Sequence, residues 1–289
     1  MKIAIIGGSG KMGRWFASRL MREGKEVVIT GRNEQKLREA GLQIGVEIAT
    51  NEDAVKSADI VVLSVPIDSF EEVVKQISPF TRSGQKIIDV TSVKVMPVEV
   101  MHRYIKRGVI LGTHPVFGPG ARGIAHQNFV LTPTNKDESA LAEEAKNYLE
   151  ARGGKVTLMT PDEHDKMMAV VLGLAHFISI VSADTLAGFY NLPLMRAVGG
   201  STYKVWLTLV ESVISEDPEL YASLQMNLPD VTDYEELFQK SVKLWADMVK
   251  NKDRRGFVER MTAVKNKLEK SNPDFGKAYQ NMYKLVNEL

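Results

Sequence analysis

Apolar and polar positions follow two regimes along this chain. Up to about residue 160, short runs rich in Ile and Val at 2–6, 26–30, 59–65, 86–90, 108–112, 128–133 and 155–159 read as strands, with a weaker one at 46–49. Several are apolar on consecutive positions, as expected of strands covered on both faces. Amphipathic stretches at 34–40, 68–77 and 139–151 and a helical turn begun at 51–53 separate them. This alternation predicts an α/β, doubly wound domain of the Rossmann type. Beyond residue 160 no strand pattern recurs, and helices are predicted at 161–190, 194–215, 218–225, 233–250, 254–269 and 274–289. Thr160-Pro161-Asp162-Glu163 has the form of a capping box with proline at the first helical position. The domain boundary is therefore expected there, giving domains 1–160 and 161–289, the second all-α.

Within the first helix of the second domain, residues 167–186 are apolar on nearly every face. A helix of that kind is buried all round, which a small helical domain does not manage alone, so it is expected to form the core of a homodimer. His164, Asp165, His176 and Asp184 stand in this apolar background, and Asp165 and His176, eleven residues apart, are expected to share a helix face.

The first strand stops at Gly8-Ser9-Gly10-Lys11-Met12-Gly13 and the chain restarts as a helix. Strand, glycine turn and helix in this order open a dinucleotide-binding unit. Gly8 is expected to make the sharp turn, Gly10 to let backbone N–H groups approach a pyrophosphate, and Gly13 to pack helix on strand. The second strand ends in Thr30-Gly31-Arg32-Asn33, with no acid to accept from a ribose hydroxyl. Gly31 leaves room and Arg32 supplies a fork suited to a 2′-phosphate, which favours NADP, with NAD as the alternative if Arg32 is only a solvated residue. Ser64, Val65 and Pro66 end the central strand on the carboxyl edge and are expected to line the cofactor groove.

The 37 Lys and Arg residues nearly balance the 36 Asp and Glu, so no global field draws the chain to nucleic acid or an anionic membrane, and a small-molecule substrate is expected. There is no cysteine and no metal-ligand spacing, hence no disulfide framework or metal centre. No uninterrupted apolar run of about 18 residues occurs, and a cytoplasmic protein is expected.

Oxidation of a carbinol needs a base of near-neutral pKa beside the hydroxyl, a task that suits histidine. His114 follows the strand 108–112, in a loop with two prolines and two glycines that restricts its conformations. It is the candidate base. Ser92 ends the neighbouring strand, either as a turn former or as a second hydrogen-bonding group. His176 reads as a core histidine on its own spacing, and His102 and His126 as surface residues.

Several segments together resemble the prephenate dehydrogenase family. They are Thr91-Ser92-Val93-Lys94, His114-Pro115-Val116-Phe117-Gly118-Pro119, Gln127, Glu163-His164-Asp165-Lys166-Met167-Met168 with Gly173-Leu174-Ala175-His176-Phe177, and Asp217-Pro218-Glu219-Leu220-Tyr221-Ala222. The resemblance runs to about Pro229. It implies oxidation of the ring hydroxyl of prephenate, hydride transfer to the nicotinamide and loss of carbon dioxide to give 4-hydroxyphenylpyruvate. It further implies that His114 takes the hydroxyl proton with Ser92 assisting, and that His176 faces the substrate. One position departs. Where the family has a carboxylate-binding arginine five residues before Asp217, this chain has Ser212, next to Glu211. Arg122, Arg196 or Lys204 is then the substitute cation, or the substrate is a different acid. A non-catalytic NADP sensor is the rival from another class. A second enzyme reading is a β-hydroxyacid or F420-type NADP oxidoreductase, which would share the first domain; the former needs an asparagine four residues after its helix lysine, and Val170 stands four after Lys166.

Overall fold

The computed structural model describes residues 1–189 and 191–288. Tyr190 and Leu289, the expected ends of two helices, lie outside the described residues. The chain divides into two compact units, one of residues 1–168 with 226–228, the other of residues 169–225 with 229–289.

The first unit is built on an eight-stranded sheet in the order β3-β2-β1-β4-β5-β6-β7-β8. Its strands are β1 Lys2–Ile6, β2 Glu26–Ile29, β3 Glu47–Ile48, β4 Ile60–Leu63, β5 Lys86–Asp89, β6 Val109–Pro115, β7 Asn128–Thr132 and β8 Lys155–Leu158. All pairings are parallel except β6 with β7. Successive residues feed opposite faces. Ala4 and Ile6 join one apolar cluster with Val61, Leu63 and Phe70, while Ile3 and Ile5 join another with Val27, Ile29 and Val62. Helices α1 Lys11–Arg22, α2 Glu34–Ile44, α3 Asn51–Ser57, α4 Phe70–Ile77, α5 Val95–Tyr104 and α6 Lys136–Glu150 connect the strands. The Rossmann-type expectation holds, with two differences. The pattern did not announce α5, because Met96-Pro97-Val98 reads as extended chain; a proline inside the first helical turn costs no hydrogen bond there. And β6 runs on through Pro115, so His114 lies in the sheet, opposite Val130 of β7, rather than in the loop that follows.

The capping box forms. Glu163 N–H donates to Thr160 Oγ1 at 3.2 Å and Thr160 N–H donates to Glu163 Oε2 at 2.9 Å, opening α7 Pro161–Met168. The first unit extends through α7, past the expected division at residue 160, because His164, Asp165 and Met168 are buried in it.

The second unit is helical, with α8 Ala175–Ala187, α9 Leu192–Val198, α10 Ser201–Ile214, α11 Pro218–Asn227, α12 Val231–Lys250, α13 Arg254–Ser271 and α14 Ala278–Glu288, although the last residues of α11 belong to the first unit. The expected helix 194–215 is interrupted at Gly199-Gly200. Between α7 and α8, residues Ala169–Leu174 form a π-helix. Its wider turns break the spacing that would put Asp165 and His176 on one face. Although no uninterrupted apolar run was found, the combined helix Pro161–Ala187 contains an 18-residue window of mean hydropathy 1.8 and is long and apolar enough to cross a membrane. Only 22% of that apolar window is buried within this chain, so burial on every side is not achieved by one copy.

Candidate active site

The glycine turn closes on backbone bonds, Gly8 N–H to Ile5 O at 3.2 Å and Gly10 N–H to Gly7 O at 3.0 Å. The left-handed residue is Gly7, at φ 84°, so the sharp turn comes one residue before the expected Gly8. At Gly13 a Cβ would lie 2.5 Å from Gly7 O, which explains how tightly α1 packs on the turn. The first turn of α1 has no acidic residue and Gly10 offers no side-chain cap. The N–H groups of this first turn have no acceptor within the helix, a fit for a dinucleotide pyrophosphate. Beside the turn, a Cβ on Gly31 would come 2.4 Å from Ser9 Oγ. Arg32 is exposed and forms no ion pair among the described residues. Ser64 backs directly on the turn, its carbonyl 2.2 Å from where a Cβ on Gly7 would stand, and Val65 and Pro66 follow it at the same edge.

His114 is 4% exposed and its Nδ1 lies 2.8 Å from Nε2 of His164, which is fully buried. The Nδ1 of His164 is 2.6 Å from Asp165 Oδ1. Asp165 also accepts the backbone N–H of Lys94 at 2.7 Å and of Val95 at 2.9 Å, which fixes the carboxylate at the start of α5. An ionised carboxylate only accepts, so His164 carries its proton on Nδ1 and offers Nε2 as an acceptor. His114 then donates from Nδ1, leaving its Nε2 without a proton. Three buried residues thereby leave one imidazole nitrogen without a proton.

Burial is the main reason His114 is held well below the ordinary imidazole range, with the neighbouring His164 and Lys94 adding to it. Burial also lowers His164, against the pull of Asp165. Both rings are neutral near pH 7.

Lys94 and Asp89 form a fully buried ion pair below this chain. Lys94 Nζ also donates to Thr113 O at 2.7 Å, and Asp89 accepts the Thr91 N–H at 2.7 Å. Burial pushes the Asp89 carboxyl up and the Lys94 ammonium down, and their mutual attraction opposes both shifts. Ser92 sits half-buried in the same segment, three residues past Asp89, whose β-ladder partner Gly112 is two residues before His114. Both candidates therefore sit at the carboxyl ends of adjacent strands. His102 is bound to Glu138 at 2.6 Å and His126 is exposed, as expected of surface residues.

In the helical unit, the His176 ring packs on Tyr221 with centroids 4.9 Å apart, and its Nδ1 is buried without a hydrogen-bond partner. Burial lowers its pKa. Ser212 is exposed and donates to Leu209 O at 2.8 Å. Arg196 is ion-paired with Glu211 at the surface. Lys204 is exposed. Arg122, in the first unit, lines a depression beside α1 that includes neither His114 nor Ser92. No group able to hold a metal ion occurs among the described residues.

His164, Asp165, Lys94 and Asp89 had no assigned role in the sequence reading. Their signal is that ionisable residues stand at positions the surrounding pattern marks as core, where a polar group persists only with partners.

Sequence models of the prephenate dehydrogenase nucleotide-binding domain and dimerization domain match residues 16–158 and 160–263. A probable arogenate/prephenate dehydrogenase of Methanocaldococcus jannaschii is 36% identical over 265 residues, which cover 90% of this chain and 59% of that protein. This chain thus spans about three fifths of that relative's length. An F420-dependent NADP reductase of Methanothermobacter thermautotrophicus is 44% identical over 78 residues, 24% of this chain and 34% of its own. Among solved structures, Aquifex aeolicus prephenate dehydrogenase in complex with hydroxyphenyl propionate and NAD+ aligns with a TM-score of 0.76 at 25% identity, covering 94% of this chain and 98% of its own. With the family's two domain models matching residues 16–158 and 160–263, most of its length, the chain belongs to the prephenate dehydrogenase family.

Proposed function

We propose that this chain is an NADP-dependent dehydrogenase that oxidises and decarboxylates prephenate or a related cyclohexadienyl acid, giving 4-hydroxyphenylpyruvate from prephenate itself. The observation that carries the proposal is the buried chain from Asp165 through His164 to His114, which leaves one imidazole nitrogen free to take a proton. The nicotinamide, when bound, accepts hydride from the ring carbinol carbon. His114 Nε2 takes the hydroxyl proton as that hydride leaves, and the positive charge it acquires is shared through His164 toward Asp165. Ser92 hydrogen-bonds the same hydroxyl and orients it. The developing ketone is conjugated to the carbon bearing the ring carboxylate, so the C–C bond to that carboxylate breaks, carbon dioxide leaves and the ring becomes aromatic. The protein needs no acid for this second step.

The cofactor assignment rests on Arg32, exposed and without a counter-ion beside the Ser9–Gly31 contact. It is supported by the likeness of a 78-residue stretch of the chain to an F420-dependent NADP reductase. His176 is proposed as a further substrate contact. With Arg196 paired to Glu211, and Arg122 lining a depression that includes neither His114 nor Ser92, Lys204 stands ahead of both as the cation for the substrate carboxylate. The apolar helix Pro161–Ala187, mostly uncovered in one copy, supports a homodimer through the dimerization domain. The second reading, a sensor that binds NADP without turnover, is favoured by one observation, the exposed Ser212 where the family has an arginine.

The two are separated by incubating the chain with NADP and prephenate or arogenate and following absorbance of the reduced nicotinamide. Reduction supports the dehydrogenase. Cofactor binding with neither substrate oxidised supports the sensor.

A further inference from the structure

One flank of α1 carries a cluster that neither the glycine turn nor the imidazole chain uses. Lys11, Arg14, Arg19, Arg22 and Arg122 line one depression of about 540 Å³ together with Trp15, and no carboxylate lines it. The walls are held in place. Arg14 donates from Nε to Ser9 O at 3.0 Å, from one terminal nitrogen to Gln43 Oε1 at 3.0 Å and from the other to Lys36 O at 3.1 Å. All three acceptors are neutral, so the guanidinium is fixed in one pose while its charge stays uncompensated. The Trp15 indole N–H donates to Ala121 O at 2.7 Å, which pins the loop bearing Arg122 against the helix. Arg22 and Arg122 are exposed and form no ion pair among the described residues. Arg19 has only Glu23, which it shares with Arg152.

Like charges gathered round one hollow repel one another unless a counter-ion joins them. Guanidinium forks match phosphate oxygens two at a time, and several of them together select a ligand with several phosphate charges. A volume of this size suits a small molecule. The whole chain, at net charge +1, offers no wider basic field for a polynucleotide. Gly8, Gly10, Gly31 and Arg32 are absent from the lining, so the hollow borders the proposed cofactor cleft through Lys11 and is otherwise built from other residues.

We propose that this depression is a second anion site, which binds a small molecule bearing a di- or triphosphate while the cofactor is in place. Its occupancy would be felt at two points, since Arg14 holds the carbonyl of Ser9 in the glycine turn and the Trp15–Ala121 bond holds the loop that continues from β6.

The test uses the whole chain, saturated with NADP, in a W206F/W245F background that leaves Trp15 as the sole tryptophan. Pyrophosphate, ATP and AMP are titrated while Trp15 fluorescence and binding heat are followed. Saturable one-to-one binding is expected for pyrophosphate and ATP, weaker for AMP. R22A and R122A, both at exposed positions, should each weaken it by roughly tenfold or more, the worth of a charge-assisted bond, without changing NADP affinity. R32A should leave it unaltered. A response found only without NADP and abolished by R32A would mean the anion enters the cofactor cleft, and the proposal fails. It fails equally if no saturation is seen at millimolar ligand, or if binding ignores both R22A and R122A. None of these readouts requires turnover, so the outcome is independent of the dehydrogenase assignment.

Discussion

Replacing Asp165 by asparagine alters the imidazole chain without changing its shape. Asp165 serves three donors, the N–H groups of Lys94 and Val95 and the His164 ring. Asparagine has one acceptor oxygen. If that oxygen stays toward Lys94 and His164, its amide nitrogen meets the Val95 N–H. If it turns to Val95, the nitrogen meets the Lys94 N–H and donates to His164 Nδ1, which moves the proton of His164 to Nε2 and forces His114 to carry its own on the catalytic nitrogen. Either arrangement strands a buried N–H, at about 1–3 kcal/mol, and a unit of this size then loses roughly 2–12 °C in Tm. Both remove the negative charge that faces the imidazolium formed on His114. A hydrogen bond to a charged group is worth about 1.5–3 kcal/mol, or roughly ten- to 150-fold in rate, and the inverted proton arrangement adds to that. We expect D165N to fold, to bind NADP as the parent does, and to lose roughly 10- to 10³-fold in kcat, measured by reduced-nicotinamide absorbance. The acid limb of kcat/KM should also move to lower pH, since the carboxylate that favours the protonated ring is gone. A folded D165N with kcat within about threefold of the parent and an unmoved acid limb would refute the idea that Asp165 sets the base.

Further outcomes follow from the same contacts. H114N should lower kcat by at least about a hundredfold, the usual worth of a general base, while NADP affinity measured by fluorescence titration stays put. K94A leaves Asp89 charged and alone in the core, which typically costs 3–5 kcal/mol; urea unfolding should show a loss of about that size, and K94M should share it because the anion remains. His114 and His164 have folded pKa values below the ordinary imidazole value of about 6.5, so the unfolded chain takes up protons that the folded chain refuses. Their contribution to stability is complete above about pH 6.5 and is lost as pH falls from there toward the folded values. Tm measured down that range should therefore decline, and less steeply in an H114N/H164N variant. R32A should weaken NADP by roughly tenfold or more and leave NAD unaffected, by calorimetry.

The sheet and the glycine turn were legible because their causes are local. Consecutive apolar β-branched residues mark a strand covered on both faces, and a missing Cβ at Gly13 marks a close backbone approach. His114 was singled out for a reason the structure revises: strand pairing with Val130 and a bond to His164 hold it, rather than prolines alone. The rest of the imidazole chain was hidden because its members are 50 and 71 residues apart in sequence, His114 to His164 and Lys94 to Asp165. No periodicity reports a contact of that range. The π-helix was equally invisible, since its residues have the same apolar character as the α-helix around them. The ion pair that occupies Arg196 arises from a turn at Gly199-Gly200 that the pattern 194–215 passed over.

The absent side chain at position 31 limits how cofactor preference can be redesigned here. An acid placed there, the usual way to welcome a bare ribose, would drive its first carbon into the hydroxyl of Ser9 and displace the glycine turn itself. On the proposed preference for NADP, a shift toward NAD has to be made at position 32, where the side chain is exposed and an incoming carboxylate replaces a cation in a single step.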